Sequence, residues 1–128
     1  MTVNYLTCII THGNLACSIR KAAEHLTAPA EEVFCFSNQE TVLEEIEASI
    51  AALASEKKPD RIVLFVDMFG GSCWIAANRI KHNLKKTTIV SGVNIPMLVS
   101  YFINYQRLDG EALLEKIVSD AKKGIVIR

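Results

Sequence analysis

Short apolar runs alternate along this chain with longer stretches in which apolar residues return every three or four positions. The runs are Tyr5–Thr11, Val33–Phe36, Arg61–Val66 and Thr87–Val90. Runs of this kind make strands buried on both faces, and such strands pair in parallel beneath helices that cover both sides of the sheet. The expected fold class is therefore α/β. A chain of 128 residues leaves little room for a second core, so one domain is expected over its whole length.

Between the first two runs, Leu15, Ile19, Ala22 and Leu26 are expected on the inner face of a helix that stops before Pro29. The next helix is expected to open on a capping box of Thr41 and Glu44 and to bury Leu43, Ile46, Ile50 and Leu53. After the third run come a glycine loop and a helix over Ser72–Asn83. Beyond the fourth run, Gly92-Val93-Asn94-Ile95-Pro96 leads into a helix pair divided near Leu108-Asp109-Gly110, followed by a short strand at Ile125-Val126-Ile127. Right-handed crossovers wind these elements into a flavodoxin-like, doubly wound, mostly parallel sheet with helices on both faces, its first and third strands adjacent.

The composition excludes several classes of function. Fourteen basic residues balance fourteen acidic ones, which leaves no polyanion-binding footprint and no expected nucleic-acid partner. No apolar run approaches the roughly 18–20 residues of a membrane span. The opening Met1-Thr2-Val3-Asn4 has no basic flank or cleavage pattern of a secretory signal, so a cytoplasmic location is expected. Cys8, Cys17, Cys35 and Cys73 show no CxxC spacing and read as buried free thiols, with neither a disulfide framework nor a metal site expected. A Gly-Lys-Ser/Thr phosphate loop is missing, which argues against direct use of ATP, and no cofactor is expected.

The topology brings two chemical groups together. Ligands of doubly wound sheets bind at the carboxyl ends of the strands, where strand order reverses. His12 is the first polar ring after the first strand, and Asp67 is the first charge after the third. A carboxylate beside an imidazole fixes its tautomer and leaves the other nitrogen free as a nucleophile. The turn Met68-Phe69-Gly70-Gly71-Ser72 lets backbone N–H groups at a helix start approach an anion such as a phosphoryl group. Ser72 is expected to serve as helix N-cap, as a hydroxyl donor, or as both. Each signal also has a plainer meaning: a satisfied loop histidine, and an acidic cap over a tight turn. His25 and His82 fall on helices and read as surface residues; Trp74 reads as a core or interface aromatic. Cys73 and Arg79 have the spacing of a cysteine-phosphatase loop, but Trp74-Ile75-Ala76-Ala77-Asn78 between them lacks glycine. A helix there carries Arg79 about 9 Å along the axis, and no phosphate cradle results.

Three segments, Thr11-His12-Gly13, Asp67-Met68-Phe69-Gly70-Gly71-Ser72 and Gly92-Val93-Asn94-Ile95-Pro96-Met97-Leu98, resemble in order and spacing the hallmarks of the mannose-type IIA domain of the sugar phosphotransferase system. The resemblance extends over essentially the whole chain. It implies a phosphotransferase in which His12 takes a phosphoryl group from the histidine-containing phosphocarrier protein and passes it to a separate IIB component for sugar uptake. Asp67 would bond the active ring, and Gly70, Gly71 and Ser72 would hold the phosphate. The resemblance also implies a homodimer, joined by the strand at Ile125–Ile127, and association with a membrane permease through partners only. Met68-Phe69 stand where the family pattern has Thr-Trp, and Cys73 where it has Pro, so a hydroxyl near the phosphate is lost. Asn14-Leu15-Ala16 after the histidine motif bears on the partner surface. A regulatory binding module that signals its phosphorylation state is the alternative role; a flavodoxin-like cofactor binder ranks last, because its first phosphate loop should be rich in Ser, Thr and Gly, and Thr11-His12-Gly13-Asn14 is not.

Overall fold

The protein is described by a computed structural model over residues 3–29 and 31–128; Met1 and Thr2 of the opening segment lie outside the described residues. The elements are β1 (Tyr5–Thr11), α1 (Leu15–Thr27), β2 (Val33–Ser37), α2 (Leu43–Lys57), β3 (Arg61–Val66), α3 (Ser72–Asn83), β4 (Thr87–Ser91), α4 (Ile95–Asn104) and α5 (Gly110–Lys123). All pairings are parallel, in the order β2-β1-β3-β4. Thr11 pairs with Ser37 and Ile10 with Val66. Successive strand residues point to opposite faces, and both faces of β1 and β3 are apolar. Tyr5, Ile9, Val63 and Phe65 meet α1, α4 and α5 on one side. Leu6, Cys8, Ile10, Leu64 and Val66 meet α2 and α3 on the other. Two cores back one sheet, which is the doubly wound architecture expected. Among the described residues no helix is long and apolar enough to cross a membrane.

Several local expectations need correction. The inward residues of α1 are Ala16, Ile19 and Ala23, while Leu15 and Leu26 are exposed. The buried Thr11 hydroxyl accepts the Ala16 N–H at 2.7 Å, which fixes Ala16 inward and turns the stripe by one residue. The capping box at Thr41 and Glu44 does not form: Val42 is the N-cap of α2, with no side-chain cap bond, because the Thr41 N–H closes a turn onto Ser37 at 3.2 Å. Only Cys8 and Cys73 are buried; Cys35 is intermediate and Cys17 exposed. Residues 125–128 form no strand, since a strand requires a partner and no strand among the described residues pairs with them.

Candidate active site

β1 lies between β2 and β3, so the chain leaves β1 towards one edge through α1 and later crosses to its other side through α2. The reversal opens a crevice at the carboxyl ends of β1 and β3. His12 follows β1 directly and Asp67 follows β3 directly. Gly13, at φ +56°, then turns the backbone in a conformation that side chains resist.

Asp67 holds His12 twice through one oxygen. Its Oδ2 accepts the His12 backbone N–H at 2.9 Å and lies 2.6 Å from the ring Nδ1. Oδ1 accepts the Met68 N–H at 2.9 Å. Partial burial pulls the Asp67 carboxyl upward, but the backbone and ring of His12 and the Met68 N–H outweigh it and hold it below the usual carboxylate range. An ionised carboxylate only accepts, so Nδ1 carries the ring hydrogen, and the lone pair of the neutral ring falls on Nε2. The His12 side chain is 48% exposed, against 13% for Asp67. The imidazole is thus reachable from outside while its partner is sheltered.

Nε2 faces the start of α3. Ser72 Oγ lies 3.2 Å from it, and Gly71 stands so close that a Cβ there would meet His12 Cε1 at 3.5 Å. Gly71, not Ser72, is the N-cap, and no side chain caps α3. Ser72 is the first helical residue, which frees its hydroxyl from capping. The N–H groups of the first turn receive no cap bond from the Gly71 position, an arrangement suited to an anion. Gly70, at φ +84° with nothing within 4 Å of the place a Cβ would take, is required by its backbone conformation rather than by crowding.

Sequence reasoning missed Asn38. Its Nδ2 donates to Ser72 Oγ at 3.1 Å, and its own N–H donates to the Thr11 carbonyl at 3.1 Å. The rule that found His12 and Asp67, the first polar group beyond a strand, points to it once β2 is extended through Ser37.

The remaining candidates fall elsewhere. His25 and His82 are exposed on α1 and α3. Arg79 lies in α3 and pairs with Glu47 at 2.9 Å, so Cys73 and Arg79 frame no phosphate loop. Trp74 is half-buried, its ring 4.7 Å from that of exposed Phe69. Ligand atoms of His12, Asp67 and Cys73 all lie within 4.8 Å of one another, the one such group that could hold a cation among the described residues. Two donors on one tetrahedral zinc stand about 3.3 Å apart, whereas Nδ1 and Oδ2 are drawn to 2.6 Å as a hydrogen-bonded pair. Burial, with the Asp67 charge, also pushes the Cys73 thiol up to about 11. The arrangement suits proton-directed nucleophilic chemistry better than metal binding.

A model of the family described as "PTS system fructose IIA component" matches residues 7–118. The mannose-specific EIIAB component of the PTS system from Escherichia coli (strain K12) is 37% identical over 94 residues, covering 70% of this chain and 28% of the relative. The chain therefore spans less than a third of that protein. The PTS IIA protein associated with the fucose utilization operon of Streptococcus pneumoniae superposes with a TM-score of 0.81 at 24% identity, over 98% of this chain and 94% of that one. The mannose/sorbose-specific IIA subunit of the phosphotransferase system from Enterococcus faecalis gives 0.78 at 14% identity, over 100% and 96%. At these identities the structural likenesses establish the fold.

Proposed function

The chain belongs to the mannose-type IIA family of the phosphotransferase system, described as "PTS system fructose IIA component", and from that premise we propose that it carries a phosphoryl group on Nε2 of His12, between the histidine-containing phosphocarrier protein and a IIB component, in sugar uptake. The observation that carries this reading is the 2.6 Å contact of Nδ1 with Asp67, which leaves the Nε2 lone pair of the half-exposed ring as the nucleophile beside the start of α3. In the forward step the Nε2 lone pair forms the new N–P bond as the donor's N–P bond breaks. The donor ring leaves neutral, the His12 ring becomes positive, and its Nδ1 hydrogen stays in place. The Asp67 carboxylate stabilises that positive ring. The Ser72 hydroxyl and the N–H groups after Gly70 and Gly71 receive the phosphoryl oxygens. Transfer to IIB is the same step reversed, with the acceptor as nucleophile. Positioning and charge supply the catalysis.

Location in the cytoplasm and a homodimer complete the proposal. Incubation with phosphoenolpyruvate and the general phosphotransfer proteins, followed by peptide mass analysis, tests it. A single phosphoryl group on His12, labile in acid and stable in base, is expected, and His12→Ala should abolish it. A phosphoryl group on any other residue, or none, would refute it.

A further inference from the structure

We infer that Asn38 is a positioning residue for phosphoryl acceptance, acting on His12 through the Ser72 hydroxyl; the inference rests on the phosphoryl-carrier reading above. Thr11 pairs with Ser37 across β1 and β2, so one further step of the same register sets Asn38 level with His12. The Asn38 N–H bond to the Thr11 carbonyl, 3.1 Å, continues that ladder past the strand ends. Three neighbouring strands thus each end in one polar residue of a single network: Asn38 after β2, His12 after β1 and Asp67 after β3.

The hydrogens of this network run in one direction. Asp67 accepts from Nδ1, which makes Nε2 an acceptor. Asn38 Nδ2 donates to Ser72 Oγ, and an amide nitrogen can only donate. Ser72 has one hydroxyl hydrogen, and with a lone pair occupied by Asn38 that hydrogen turns to the other neighbour, Nε2 at 3.2 Å. When phosphorus takes that lone pair, the same hydrogen is released to a phosphoryl oxygen beside Nε2, with Oγ still held by Asn38. Asn38 presets a donor for the incoming oxygens and keeps it from rotating away, a pre-organisation that side chains supporting a reactive group commonly provide.

A double-mutant cycle on the full chain separates this role from a general effect on the loop. Phosphorylation rates from the phosphorylated carrier protein would be measured for the unsubstituted chain, Asn38→Ala, Asn38→Asp, Ser72→Ala and the Asn38→Ala/Ser72→Ala double variant. Asn38→Ala should slow transfer about tenfold, and the double variant should be no slower than Ser72→Ala alone. Asn38→Asp keeps the shape and the backbone bond to Thr11 but accepts the Ser72 hydrogen and adds charge beside the incoming anion, so it should be slower than Asn38→Ala. Thermal melts check that each variant folds. Independent, multiplying effects in the cycle would reduce Asn38 to a loop residue, as would an Asn38→Asp chain that matches the unsubstituted rate. With His12 labelled normally, either result overturns the role of Asn38 and leaves the carrier reading standing. Absence of label on His12 in the unsubstituted chain overturns both.

Discussion

Asp67 combines a structural and an electrostatic duty, and the two can be measured apart. Asp67→Asn keeps nearly the same shape but removes the charge that would balance the ring as the proposed N–P bond forms. Phosphorylation should slow by about 10- to 100-fold, as for other carboxylate partners of functional histidines, and single-turnover labelling would read it. The carboxyl is held below its usual range in the folded chain, against about 3.9 unfolded. Its contribution to stability is therefore complete above the unfolded value and is lost as pH falls through the folded one. The stability difference between the unsubstituted chain and Asp67→Asn, followed by urea unfolding, should shrink as pH falls from about 5 towards 2; a difference that does not change over that range would mean that Asp67 gains nothing from its partners. Cys73 makes the contrasting case. Its Sγ is 3.8 Å from Nδ1, yet burial and the Asp67 charge keep it a thiol, so Cys73→Ser should retain most acceptor activity. Iodoacetamide should instead modify exposed Cys17 first, as peptide mapping would reveal. At this scale the sequence exposes His12 and Asp67, because each is the first polar group beyond an apolar strand. It hides Asn38 and the Gly71 cap, because these depend on which backbone turns bring an amide to a hydroxyl.

The elements hold these residues in place, and β1 is the most constrained of them. Its two faces feed both cores, and the Thr7 hydroxyl meets the Tyr101 hydroxyl of α4 at 2.6 Å in a buried contact. Phe65 and Tyr105 pack their rings against Tyr101 with centroids 5.1 and 5.4 Å away, so the ring position is fixed by packing and the hydroxyl by Thr7. Tyr101→Phe would preserve the packing and leave the Thr7 oxygen buried without that partner. A loss of about 1–3 kcal/mol is expected in urea unfolding. Phosphoryl acceptance at His12 should be unchanged, since His12 lies five residues further along the chain from Thr7, about 16 Å at strand spacing. A melt identical to the unsubstituted chain would show that the Thr7 contact adds nothing. The four sheet strands and the first two helices are legible from apolar spacing, because burial on two faces or one is written directly into it, whereas the strand read at Ile125–Ile127 does not form within the one chain. The rotation of α1 and the start of α2 are not legible in that spacing. The face of α1 is set by one buried hydrogen bond between Ala16 and Thr11, and the start of α2 by a turn from Ser37 to Thr41, neither of which alters the apolar pattern.

At the scale of the whole molecule, the strand order β2-β1-β3-β4 assembles the site from one chain, so His12, Asp67, Ser72 and Asn38 need no second copy. The sheet is nevertheless left with two edges, along β2 and β4, and edges invite strand addition. Ile125, Val126 and Ile127 are 75, 69 and 97% exposed, and burying a side chain of this kind contributes about 1.5–3 kcal/mol. A reciprocal exchange of this tail between two copies would bury six such side chains and give the strand read from the sequence the partner it lacks within one chain, which supports the proposed homodimer. Removal of Ile125–Arg128 tests it cleanly, because Gly124 stays: its N–H closes α5 onto Asp120 and Ala121 at 3.2 and 3.3 Å, and a Cβ at that position would meet Pro96 Cγ at 2.5 Å. Sedimentation should then show a dimer for the intact chain and a monomer for the shortened one. Both should still take up phosphoryl on His12, since the site is complete without the tail. A shortened chain that remains dimeric would place the interface elsewhere, and a shortened monomer that no longer accepts phosphoryl would mean that a second copy supports the crevice between β1 and β3.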